Sequence, residues 1–211
     1  MEIDSVDFSV PPGPSGSNDL EYHVSRNFTY MARVVRNIAR MNQAYGRLRK
    51  TKDWGIDPEF LQINPGLNAW LAELPSDMAV NYPPDGSAPW LSSAFVGNLH
   101  SYYYLSLILF HRPQLAFLQP TGSDGQWKHH MAVSYNAAKM LCRLQEAVLQ
   151  SFGLPGLQCM QRGINFTIYA VLACIVLHLV GERSSSLVVS PTNLGNLTAS
   201  RRSLSHRRIP I

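Results

Sequence analysis

Histidine and cysteine are the side chains in this sequence that metal binding or nucleophilic catalysis would use. The seven histidines form no HExxH pair, and no acidic residue lies at ligand spacing beside His129 and His130. Neighbouring residues on a helix point about 100° apart, so these two histidines are not expected to face one metal ion. The sequence therefore predicts no metal ligand in this chain.

The three cysteines, Cys142, Cys159 and Cys174, are well separated and form no CxxC pair. This spacing disfavours a disulfide framework and a cysteine-built zinc site, and it favours a reducing compartment. Cys142 and Cys174 lie among apolar positions of predicted helices, so we interpret both as packing residues. The sequence also lacks GxSxG, Walker and GxGxxG motifs, and its acids show no paired spacing. We therefore expect no catalytic residue, no cofactor and no enzymatic activity.

Apolar residues at steps of three and four predict the helices that would position these groups. The predicted helices cover about 20–52, 65–74, 87–112, 127–152 and 157–180. Asn64 would cap the second helix, with Pro65 at its first position, and Pro113 would end the third. No segment shows sustained period-two alternation, so the predicted fold class is all-α, an irregular multi-helix array. A Pro- and Gly-rich, extended N-terminal lead-in precedes it.

Charge is unevenly distributed along the chain. The formal net charge of +4 lies wholly in residues 181–211, which hold five arginines and one acid and are predicted to form a disordered Ser/Arg-rich tail. The remaining chain sums to zero. A local basic stripe, formed by Arg33, Arg36, Arg40 and Arg47, lies on one face of the first helix. We interpret it as a solvated face, with a surface for phosphate or an acidic partner as the alternative.

Residues 164–180 are apolar nearly throughout. This run of 17 residues is at the lower limit for a membrane-spanning helix, and it contains Asn165, Thr167 and His178. The neighbouring amphipathic helices need an apolar partner to cover, so we interpret the run as a central buried helix. The alternative is a membrane-associated protein that uses 164–180 as its anchor and the basic tail against anionic lipid.

The segment 99–113, LHSYYYLSLILFHRP, resembles the "LH…YY…HRP" helix of the fungal-specific transcription factor domain. That domain is the middle homology region of fungal zinc binuclear cluster transcription factors. Weaker similarities follow the family's order at 3–12, 70–75 and 137–141, so the resemblance covers about residues 1–180. We interpret His111, Arg112 and Pro113 as a structural helix end, since an arginine there complements the helix dipole and a proline stops the helix.

The resemblance implies an all-helical regulatory domain over 1–180 that acts in the nucleus, in regulation of RNA polymerase II transcription. It implies that the domain contacts protein partners or a second copy of itself and does not associate with a membrane. A pocket between its helices could admit a small-molecule inducer. Family members bind zinc and DNA through a separate six-cysteine cluster, which is absent here, so no residue of this chain is expected to bind zinc or read DNA. Direct nucleic-acid binding by the arginine stripe is a third interpretation. The family's early helices would lie upstream of Met1, so we expect a fragment, or an inaccurate gene model, of such a factor.

Overall fold

Five α-helices form the computed structural model, which describes residues 9–13, 19–51, 57–115, 126–160 and 163–188. They are α1 (Asp19–Thr51), α2 (Pro58–Ala72), α3 (Ala94–Leu115), α4 (Gln126–Gln158) and α5 (Ile164–Val188), and a 3₁₀ turn lies at Ser76–Met78. These ranges contain no strand, which confirms the predicted all-α class. Residues 9–13 are neither helix nor strand, and the rest of the predicted lead-in before α1 lies outside the described residues.

Helix α3 is the central element, because it contacts each of the other four helices. Its most extensive interface is with α4, where Leu99 and Ile108 of α3 and Leu141 and Leu144 of α4 have no exposed surface. Burial of such apolar side chains is the main favourable term in folding. The core therefore lies around α3, with α1 and α2 packed together beside it and α5 packed on α4 and α3.

Gly97 allows α3 to approach α4 closely. A Cβ at this position would lie 2.4 Å from Val148 Cγ2 and 2.8 Å from Leu91 Cδ1, closer than packed atoms tolerate. Any larger residue would push these side chains out of their packing positions.

Helix α2 begins at Pro58, so the predicted start at Pro65 is wrong. The Asp57 carboxylate caps the helix by accepting a hydrogen bond of 2.9 Å from the Phe60 backbone N–H. Pro58 takes a first-turn position, where no intrahelical N–H bond is lost, and Pro65 lies inside the helix. The sequence offers two pairs of a capping residue followed by proline, and local pattern alone selected the second.

Two alanine substitutions distinguish the observed start of α2 from the predicted one. Asp57→Ala is expected to lower the free energy of unfolding by about 1 kcal/mol, because the Phe60 N–H loses its partner. Asn64→Ala is the matched control, expected to stay within about 0.5 kcal/mol of wild type, because alanine suits a helix interior. Urea denaturation followed by far-UV circular dichroism measures both. A cost at Asn64 equal to that at Asp57 would contradict this assignment.

Helix α3 begins at Ala94 rather than Ser87, and it continues through Pro113 to Leu115. Ser93 Oγ accepts a hydrogen bond of 3.3 Å from the Val96 N–H and so serves the first turn. Pro113 lies in the last turn, so the prediction that it ends the helix is wrong. A proline there removes the hydrogen bond to the Leu109 carbonyl and crowds that oxygen, but few helical bonds remain beyond it to be disturbed.

The end of α4 and the start of α5 differ from the sequence prediction in detail. The predicted break near Pro155 is a kink at Gly153, whose φ of 64° suits glycine, and helical structure resumes up to Gln158. Helix α5 begins at Ile164 rather than near 157, because α4 continues to Gln158, and it runs to Val188. Residues 181–188 are therefore helical and extend past the predicted boundary at 180. The rest of the predicted tail, 189–211, lies outside the described residues.

Helix α5 is only half buried, so the prediction of a central buried helix is wrong. One face packs on α4 and α3. The buried apolar residues of this face are Phe166, Ala170, Ala173, Cys174 and Leu177. The opposite face carries an exposed apolar stripe of Ile168, Leu172, Ile175 and Leu179, hereafter the α5 stripe. An apolar sequence without a polar face does not indicate which side a neighbour will cover. Among the described residues, no helix has the length and apolarity needed to cross a bilayer.

Candidate functional site

Three of the four predicted stripe arginines share a groove between α1 and α2. Arg33, Arg36 and Arg40 line an open cavity of about 360 Å³ whose far wall includes Trp70 and Glu73. Arg33 Nη1 lies 3.5 Å from Glu73 Oε2. The groove is therefore basic on the α1 side and carries an acid on the α2 side, which lowers its net positive potential.

Arg47, the fourth stripe residue, makes ion pairs with α2 instead. Its Nη2 atom lies 3.4 Å from Asp57 Oδ1 and also pairs with Glu59. Hydrogen bonds to Asp57 and then Glu59 raise the pKa of the Arg47 guanidinium, while the Phe60 N–H and then Arg47 lower the pKa of the Asp57 carboxyl. Three arginines of the stripe thus line the groove, whereas the fourth pairs with acids at the start of α2. Periodicity along α1 does not show this difference, because it contains no information about the charges on a neighbouring helix.

His111 is the buried member of the predicted HRP motif. Its Nδ1 atom lies 2.7 Å from His130 Nδ1 on α4, and the His129 ring is also nearby, with centroids 6.1 Å apart. Burial, followed by the charges of His130 and His129, lowers the pKa of His111 to about 4. Arg112 is exposed and Pro113 half-buried. His111 therefore joins the end of α3 to the start of α4, a contact that supports a structural role for the motif.

The three tyrosines of the motif helix face three different partners. Tyr102 stacks on Phe166 of α5 with ring centroids 4.0 Å apart, and Tyr103 stacks on Trp70 of α2 at 5.6 Å. Tyr104 makes an edge contact with Tyr82 in the loop before α3. Each of the three tyrosines therefore contacts an aromatic ring of a different element.

Cys142 is exposed, so its interpretation as a packing residue is wrong, whereas Cys174 is buried as expected. Cys142 Sγ lies 3.9 Å from His178 Nε2 on α5, and Cys174 Sγ lies 3.5 Å from the carbonyl oxygen of Ala138, one turn before Cys142 on α4. Cys142 and His178 line an open cavity of about 580 Å³ between α4 and the 82–86 loop. Arg143 fixes that loop by donating to the Pro83 carbonyl at 2.7 Å.

The acidity of the cysteines differs with their surroundings. The hydrogen bond from Cys174, and then that with His178, lowers the pKa of the Cys142 thiol to about 6. The same contact with Cys142, together with burial, raises the pKa of Cys174. Desolvation raises the pKa of Cys159, which lies apart from this cluster. Cys142 is therefore the thiol in this chain that is suited to be a nucleophile near neutral pH.

Part of the cluster formed by Cys142, Cys174 and His178 could be identified from the sequence. Cys174 and His178 are four residues apart on α5 and therefore share a face, as any i, i+4 pair on a helix does. Cys142 joins them only through the register of α4 against α5, which no local pattern reports. Among the described residues, no group of three or more His, Cys, Asp or Glu side chains has a geometry that could hold a metal ion.

Comparison with protein-family models, with curated proteins and with solved structures finds no match to this chain.

Proposed function

We propose that this chain is a regulatory helical domain of a fungal transcription factor, which takes part in regulating RNA polymerase II transcription in the nucleus. The observation that supports the proposal is the place of the family-like segment 99–113 in the fold. It forms most of α3, the helix that contacts all the others. The residues that carry the resemblance, among them His100, Tyr103 and His111, are buried contacts of the core. A family signature is expected at positions on which the whole fold depends.

In this proposal the α5 stripe is the surface that contacts a protein partner, which can be a second copy of the chain. Its residues follow one another at steps of four, three and four along α5. This spacing is the one at which a helix presents a continuous apolar seam to another helix. Each of the four side chains is about half exposed, so the seam is accessible.

The remaining binding assignments of the proposal follow the family. DNA and zinc would be bound by a separate cluster in the parent protein, and not by residues of this chain. A small-molecule inducer would fit a second cavity between α1 and α2, next to the arginine-lined groove, which measures about 420 Å³ and is lined in part by Asn37, Arg40 and Ile63. Ligand pockets commonly measure about 300–1,000 Å³.

A reporter assay tests the regulatory function. The full chain, fused to a heterologous DNA-binding domain, is expected to change transcription of a reporter in fungal cells relative to the DNA-binding domain alone. Ile168→Lys with Leu172→Lys is expected to remove that change, because two charges interrupt the seam. Glu146→Lys, at an exposed position of α4, is the control for added positive charge. An abundant nuclear fusion without any effect on transcription would refute the proposal.

The membrane-associated alternative is favoured by the same exposed face of α5. Cell fractionation without detergent separates the two functions. Recovery of the full chain in the nuclear fraction supports the regulatory domain, and recovery with membranes that only detergent releases supports the alternative.

A further inference from the structure

We propose that Cys142 and Cys174 form a peroxide-oxidisable dithiol, in which Cys142 is the attacking thiol and Cys174 the resolving thiol. The site joins α4 to α5, and its oxidant would be hydrogen peroxide or a small organic hydroperoxide. The chemistry requires nothing from the proposed regulatory role.

The arrangement of the two sulfurs carries the proposal. Cys142 is exposed at an open cavity of about 580 Å³, so a small oxidant has access to it. Cys174 lies behind it, 1% exposed, and its sulfur lies 3.5 Å from the carbonyl oxygen of Ala138, one helical turn before Cys142 on α4. His178, one turn beyond Cys174 on α5, lies 3.9 Å from Cys142 Sγ, so the two cysteines face each other across the α4–α5 interface. An accessible thiol with a second thiol directly behind it is the arrangement that reversible thiol oxidation uses.

The thiol proton of Cys174 can be donated to either of two acceptors. Its sulfur lies 3.5 Å from the Ala138 carbonyl oxygen, and the same proton can be directed to the Cys142 sulfur instead. When Cys142 is a thiolate, the second arrangement places a donor on its negative charge. His178 Nε2, 3.9 Å from Cys142 Sγ, is on the side of the cavity and can take up or return the proton.

The surroundings contain charges of both signs. The titratable groups on the elements around the cluster are Tyr135, Lys139, Arg143 and Glu146 of α4, His178 of α5, and Tyr82 and Asp85 of the loop. Glu146 opposes the thiolate, while the hydrogen bonds from Cys174 and His178 favour it and have the larger effect. A thiolate is the reactive form of cysteine toward peroxides.

The oxidation proceeds in two balanced steps. The Cys142 thiolate attacks one peroxide oxygen, so that an S–O bond forms, the O–O bond breaks, and the leaving hydroxide takes the original Cys142 proton to give water. The Cys174 sulfur then attacks the sulfenic sulfur of Cys142, so that the S–S bond forms and the S–O bond breaks. Hydroxide leaves with the Cys174 proton as a second water. The two thiols together lose two electrons, and one hydrogen peroxide is reduced to two waters. An organic hydroperoxide gives one water and its alcohol, because the group that leaves in the first step is then an alkoxide.

Peptide mapping of the full chain tests the proposal, because trypsin separates the three cysteines. Cleavage after Lys139, Arg143, Arg162 and Arg183 leaves them in peptides 140–143, 144–162 and 163–183. After peroxide treatment, non-reducing mass spectrometry is expected to show 140–143 joined to 163–183. A disulfide that includes 144–162, or none with peroxide in excess, would overturn the proposal.

Three serine variants assign the roles. Cys159→Ser is the matched control and is expected to form the disulfide as wild type does. Cys174→Ser is expected to stop at a dimedone-reactive sulfenic acid on Cys142, and Cys142→Ser is expected to leave Cys174 reduced. Oxidation of Cys174 in the Cys142→Ser variant, at the wild-type rate, would reverse the assigned order.

Alkylation rates give a readout that does not require the disulfide. At pH 7, iodoacetamide is expected to label Cys142 at least about fivefold faster than Cys159, because a larger thiolate fraction outweighs the lower nucleophilicity of an acidic thiol. His178→Gln is expected to reduce this ratio. Equal rates at Cys142 and Cys159 in the wild-type chain would contradict an activated Cys142.

Discussion

Trp70→Ala is expected to lower the free energy of unfolding by about 3–5 kcal/mol. Trp70 is 3% exposed, and its indole N–H donates a hydrogen bond of 3.0 Å to the Tyr30 carbonyl of α1. Its ring stacks on Tyr103 of α3 with centroids 5.6 Å apart. One side chain on α2 therefore joins three helices, and alanine leaves a cavity and removes the hydrogen bond between α2 and α1.

Trp90→Ala is the matched control for this substitution. Trp90 is 80% exposed and lies before α3, so its loss is expected to change the free energy of unfolding by less than about 0.5 kcal/mol. Urea denaturation followed by far-UV circular dichroism measures both variants. Similar costs for the two tryptophans would show that the α1–α2–α3 junction is not packed around Trp70.

Lowering the pH from 7 to 5 is expected to destabilise the protein, with about 2 kcal/mol of the loss from His111. The pKa of this histidine is about 4 in the fold, against 6.5 when unperturbed. Below pH 6.5 the unfolded chain therefore binds a proton that the folded chain does not, so stability falls as the pH drops toward 4. The pKa values of His100 and His130 are also lowered, chiefly by burial, and act in the same direction.

His111→Gln tests this origin through the pH dependence rather than through stability at one pH. The variant is expected to lose less stability than wild type between pH 7 and pH 5, whatever its stability at pH 7. His23→Gln, at an exposed position of α1, is expected to retain the wild-type dependence. Free energies of unfolding from urea titrations at several pH values supply the comparison. If the free energy of unfolding of His111→Gln varied with pH as that of wild type does, the buried His111 would not be the cause of the acid destabilisation.

The all-α class and the position of α1 in the chain could be predicted from the sequence, because each depends on local periodicity. Val34, Met41, Tyr45 and Leu48 recur on one face of α1 at steps of seven, four and three, and they are buried as this spacing predicts. Phe28 and Val35 continue the same pattern but are 67% and 39% exposed. Periodicity indicates which residues share a face, and it does not indicate how far a neighbouring helix extends along that face.

The candidate sites were harder to predict from the sequence, because each depends on residues that are far apart in it. The arginine stripe was visible on α1, but the pairing of Arg47 with Asp57 and Glu59 required the packing of α2. His129 and His130 diverge on one helix, so their spacing predicts no shared site, yet His111 from α3 meets them both at the start of α4. The apolar neighbours of Cys142 along α4 predict a packing residue, whereas its side chain is exposed.

By itself the sequence determined the helical class, most of the helical regions and the motif-bearing helix that becomes central to the fold. These features follow from hydrogen bonds and side-chain spacing within a few turns. The tertiary structure decided which of the two pairs of capping residue and proline starts α2 and which face of the apolar helix α5 is buried. It also decided how Cys142, Cys174 and His178 come together. These outcomes depend on the register of one helix against another. That register is fixed by complementary packing across the whole interface, and no short stretch of sequence contains it.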